Sequence, residues 1–155
     1  MPSARALPLL AAAALVAGGV WALAAPARGE DAASKPVAQI RDIMFTFNEG
    51  DQSVVGVLRA QFNQASLDED GWTAAKARAT MIYEAGNMLL GMKPPRGADD
   101  AAGLAKWKAH VGEYQACAQA ARDAAAKQDL AAGKAAMQAL AKKCTECHKE
   151  HQKQE

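Results

Sequence analysis

An all-α fold, an antiparallel four-helix bundle with a kinked or split first helix, is predicted by three observations. Alanine is abundant, β-branched residues are sparse after the first thirty positions, and aromatic residues make up only 5% of the chain. Apolar residues recur at three- and four-residue steps in four stretches, which is the period of a helix face. No alternating polar and apolar run reaches strand length. Four amphipathic helices joined by short loops bury their stripes together most simply as an antiparallel bundle. With 155 residues the chain has room for one modest core and not for two.

The first 29 residues read as a secretory signal peptide. Arg5 is followed by an almost unbroken apolar run from Leu7 to Ala27, and small residues allow cutting after Ala24, Ala27 or Gly29. Left uncut, the run is close to the roughly 20 residues of a transmembrane helix and becomes an anchor. Residues 30–155 are then the exported, soluble domain, expected in the periplasm. Losing Arg5 and Arg28 from the 18 basic residues leaves 16 against 17 acidic ones, a balance that points to neither nucleic acid nor a membrane surface.

The first helix starts after Pro36, with Val37, Ile40, Ile43, Met44 and Phe47 on its inner face. Asn48-Glu49-Gly50-Asp51 interrupts it, and Val54, Val55, Val57, Leu58 and Phe62 resume the pattern. A polar turn at Asp68 to Gly71 precedes the second helix, Trp72 to Leu90, whose stripe is Trp72, Ala75, Ala79, Ile82, Gly86 and Leu89. Gly91 and Pro94-Pro95 end it. Asp99 or Asp100 caps the third helix, which carries Leu104, Trp107, Val111, Tyr114, Ala118 and Ala121. Asp129 caps the fourth, with Leu130, Met137, Ala141, Cys144 and His148 turned inward.

Chemistry concentrates near the carboxyl end. Cys144-Thr145-Glu146-Cys147-His148 has the spacing of c-type haem attachment, two thiols for thioether bonds and the next residue for the iron. On one helical turn the two sulfurs lie on one side and reach adjacent edges of a planar macrocycle. A thioredoxin-like dithiol is the first competing reading, but it usually accompanies a βαβ pattern; half of a zinc site needs a second Cys/His pair at suitable spacing. The cofactor expected is one covalent haem c, with His148 as proximal ligand. Cys117 is left over and reads as a small buried hydrophobe or a thiol for an intermolecular disulfide. His110 and His151 read as surface residues without a partner at ligand spacing.

With the motif in the last of four helices, the stretch from Pro36 to Gln154 resembles the cytochrome c-prime family, most specifically over Ala-Lys-Lys-Cys-Thr-Glu-Cys-His. The resemblance implies thioether attachment at Cys144 and Cys147, ligation by His148, and, in the low-spin branch, a sixth ligand at Met44. It also raises a homodimer as a partner. Two departures are visible: His151 and Gln152 stand where members often carry an aromatic and a basic residue, and the first helix is interrupted. Bundle geometry points to Met44 independently. Met44 lies eight residues past Pro36 and His148 seven before Glu155, about 12 and 10 Å along their helices at 1.5 Å per residue, at the same end of the bundle. Met88, Leu89, Leu104 and Trp107 are expected to wall the pocket, and Met88 or Met92 are the other candidate thioethers.

One-electron transfer is the leading functional expectation, because a Met/His-ligated iron is saturated and suits a carrier rather than an enzyme. The first alternative is a five-coordinate haem that takes small diatomic gases such as NO or CO, packed by Met44, Phe45 and Leu89. A haem subunit of a larger redox complex is the other, favoured by leftover apolar surface on the first helix. The partner is expected to be a redox protein. Lys142, Lys143, Lys149 and Lys153 surround the motif, but Glu146, Glu150 and Glu155 are interleaved with them, so a solvated helix end outweighs a docking patch.

Overall fold

The computed structural model describes residues 38–152. The leader at 1–29, Pro36, Val37, Lys153 and Glu155 lie outside the described residues. Within them the chain is all-helical, in the order α1 (Ile40–Ile43), a π turn (Met44–Asn48), α2 (Val54–Phe62), α3 (Glu69–Leu90), α4 (Ala101–Ala126) and α5 (Leu130–His151). No strand occurs among the described residues, and no helix there is long and apolar enough to cross a membrane.

Each long helix starts on a side chain that accepts from an otherwise orphaned backbone N–H. Asp68 accepts from Gly71 N at 2.8 Å, Asp100 from Gly103 N at 2.7 Å and Asp129 from Ala132 N at 2.9 Å. The second predicted helix therefore begins earlier than Trp72: Glu69 and Asp70, expected in a turn, form its first turn, where negative charge meets the positive helix end. The predicted break in the first helix is real. Gly50, at φ +80°, reverses the chain, and buried Ser53 donates to Gly50 O at 2.7 Å and accepts from Gly56 N at 3.0 Å, capping α2.

α4 packs along both α3 and α5, while α2 touches both α3 and α5 and closes the bundle. Ala75, Ala79, Ile82, Ala85, Leu89, Trp107, Val111, Ala118, Ala121, Met137 and Leu140 form the buried core with Ile43, Leu58 and Phe62. Small residues set the closeness of approach: the Phe62 ring lies on Gly133, and Gln115 lies over Gly86.

The buried face of α5 corrects the expectation. Ala141 and His148, predicted to face inward, are exposed, and Gly133, Ala136, Met137, Leu140 and His151 are buried. Leu140 and Ala141 are adjacent, 100° apart around the helix, so one of them points inward. Leucine buries more apolar surface and takes the place, turning the face toward Cys144, Cys147 and His151 one, two and three turns later.

Candidate functional site

α5 brings Cys144, Cys147 and His148 to the wall of a narrow cleft. Leu89 reaches it from α3, Trp107, His110, Val111 and Tyr114 come from α4, and Met44 and Asn48 close it from the π turn. Met44 and His148 thus meet at one cleft from the two ends of the described chain. Leu89 and Trp107 line it as expected. Met88 does not: it is 39% exposed on the outer side of α3, since only one of the adjacent residues 88 and 89 faces inward. Leu104 and Met92 line a different surface cleft, between the end of α3 and the start of α4. Phe45, expected to pack the distal side, is 70% exposed.

Local contacts fix the walls. Trp107 Nε1 donates to Leu89 O at 3.1 Å, satisfying the indole in an apolar setting. Tyr114 Oη donates to Asn48 Oδ1 at 3.0 Å and ties the π turn to α4. Asn48 Nδ2 donates to Met44 Sδ at 3.7 Å. Asn48 and Tyr114 are cleft residues that the sequence does not single out. Tyr114 is legible one turn after Val111 on the same stripe, whereas Asn48 reads only as part of a break.

Burial dominates the electrostatics of the thiols. It pushes Cys144 and Cys147 up to about 11, with the neighbouring sulfur acting in the same direction, and raises Cys117 and Tyr114 as well. All three cysteines are free thiols. At the rim the charges are paired. Lys143 reaches Glu146 at 2.9 Å and Glu113 at 3.1 Å, and Lys106 reaches Glu150 at 2.8 Å.

The histidines expected at the surface are not there. His151 is 2% exposed and His110 half-buried. Residue 151 lies one turn beyond Cys147 on the inward face of α5, and the loop after α3 folds over it. Arg96 donates to Glu150 O at 3.1 Å and Lys149 O at 2.6 Å, capping the end of α5, while its own carbonyl accepts from His151 Nδ1 at 3.1 Å. His151 packs edge-on against Trp107 and His110, with ring centroids 5.3 and 5.4 Å apart.

The donor chemistry of the cleft fits a covalently attached haem. Two thiols three residues apart and the following imidazole share its wall, a thioether stands on the π turn, and Leu89, Trp107 and Val111 are apolar. The room between the walls, about 30 Å³, holds a water or two. A planar macrocycle therefore requires the walls to part, and the wall that carries Met44 is a single π turn rather than a long helix. The chain matches no protein-family model, no curated protein and no solved structure.

Proposed function

We propose that this chain is an exported one-electron carrier, a monohaem c-type cytochrome of the c-prime kind. Cys144 and Cys147 would anchor the porphyrin, His148 would be the proximal ligand and Met44 the distal one. The observation that carries the reading is the convergence of these four side chains on one apolar cleft. Haem c held there supplies a single Fe(III)/Fe(II) couple, with a potential that Met/His ligation raises.

The chain's own residues do the remaining work. Leu89, Trp107 and Val111 give the cleft apolar walls that would lower its dielectric response around the group. Asn48 orients Met44 through its sulfur, and Tyr114, kept protonated by burial, holds Asn48 in turn. Electrons would leave to a redox protein at the open edge of the cleft, where His148 both lines the cleft and is exposed to solvent beside Lys149.

Five-coordinate gas binding is the second reading. It needs only that Met44, held by Asn48, stay off the iron. Membership of a larger redox complex draws on Phe45, an exposed aromatic on the first helix. Optical spectra of the haem-loaded protein, oxidised and reduced, with Met44→Ala and with carbon monoxide, separate carrier from gas binder. Narrow low-spin bands that Met44→Ala abolishes, with carbon monoxide taken up only by the variant, are expected. A high-spin wild type that binds carbon monoxide readily would transfer the assignment to gas binding.

A further inference from the structure

Glu150 and His151 follow His110 by 40 and 41 positions in the chain, yet α4 and the end of α5 bring the three together. One ligand atom from each lies within 4.8 Å of the other two. His110 Nε2 is 3.1 Å from Glu150 Oε2, and the His151 ring stands edge-on to the His110 ring.

His151 supplies the observation that packing leaves unexplained. Its Nδ1 faces the Arg96 carbonyl, which only accepts, so Nδ1 carries the proton and Nε2 of the neutral ring carries a lone pair. That Nε2 is buried and has no hydrogen-bond partner. A buried acceptor left without a partner is unfavourable, and metal-ligating histidines commonly have this arrangement, one nitrogen fixed by a backbone carbonyl and the other turned to the metal. His110 is engaged the other way round: its Nε2 meets Glu150 at 3.1 Å, while Nδ1 is buried without a hydrogen-bond partner, 3.6 Å from Glu113 Oε2. The two oxygens of Glu150 are engaged separately, with Oε1 accepting from Lys106 at 2.8 Å and Oε2 facing the imidazole.

We propose that His110, Glu150 and His151 form a binding site for a divalent transition metal of the zinc class, with a fourth position open to water. Two imidazoles and one carboxylate are an established three-ligand set for zinc. With bonds of about 2.0–2.2 Å, tetrahedral donor atoms stand about 3.3 Å apart, so small side-chain rotations close the site. Binding displaces the proton shared by His110 and Glu150, satisfies His151 Nε2 and pins the end of α5 to α4. His110 is also a wall of the cleft, so this geometry belongs to the haem-free protein, and the titration is made on that form.

The test is calorimetric titration of zinc into the purified full-length protein, followed by zinc-edge X-ray absorption of the one-to-one complex. One zinc per chain is expected, with a nitrogen and oxygen shell near 2.0–2.1 Å and no sulfur near 2.3 Å. His110→Ala and Glu150→Gln, both at partly exposed positions, should each weaken binding at least tenfold while circular dichroism is retained; they carry the test because His151→Ala also removes packing from Trp107. No saturable binding, unchanged affinity in both variants, or a sulfur shell from the cysteines would overturn the site.

Discussion

The thiols of Cys144 and Cys147 are raised to about 11 because burial penalises the thiolate. The sign for reactivity follows directly, since the thiolate is the nucleophile. In haem-free protein the iodoacetamide reaction of both cysteines, followed by intact mass, should climb with pH toward a midpoint near 11, against about 9 in guanidinium. At pH 9 the folded rate per thiol should be about fiftyfold below the unfolded one. Equal rates would mean that α5 does not bury this face. The same raised values make the fold most stable below pH 9 and progressively less so up to 11, as the unfolded thiols ionise first. Gly133 gives a packing prediction. A Cβ there meets the Phe62 ring, so Gly133→Ala should destabilise by about 1–3 kcal/mol in urea unfolding despite alanine's better helix propensity.

At the scale of elements, the helix ends carry much of the specification. Asp100 and Asp129 are readable as caps because a short acidic side chain precedes each apolar stripe, and the interruption at Asn48 to Asp51 is readable from Gly50. The turn between α4 and α5 is not. Gln128 sits there at φ +55°, with its N–H on Ala125 O at 3.2 Å and that of Asp129 on Ala124 O at 2.9 Å, a closure in which glycine is the usual residue. Gln128→Gly should therefore raise stability by about 1 kcal/mol, seen as a higher urea midpoint at unchanged slope. The rotation of α5 is hidden for another reason. Ala141, Cys144 and His148 fit helical spacing as well as Leu140, Cys144, Cys147 and His151 do, and only packing against α2 and α4 distinguishes the two faces.

At the scale of the molecule, the bundle is legible because its period, caps and alanine content agree, and the run Cys144 to His148, on which the proposed haem attachment rests, is legible because its five residues are contiguous. The cluster of His110, Glu150 and His151 is not, since its members lie on two helices and meet only when the loop after α3 folds over the end of α5. The folded surface also decides how far charge steers partners. Lys143 and Lys106, near the cleft, are each paired with glutamate, while Lys142 and Lys149 are exposed outside these pairs, so the field at this end is weakened rather than that of a full basic ring. Electron exchange with a redox partner should change less than about threefold between low and physiological ionic strength, against tenfold or more for an unpaired basic ring. The most direct test of the central claim is the intact mass of the protein matured in cells equipped for c-type haem attachment, measured after acid extraction of loose haem. Wild type should retain the mass of one haem per chain, and Cys144→Ser combined with Cys147→Ser should retain none. A wild-type mass equal to that of the polypeptide alone would contradict covalent attachment and the electron-carrier reading that depends on it.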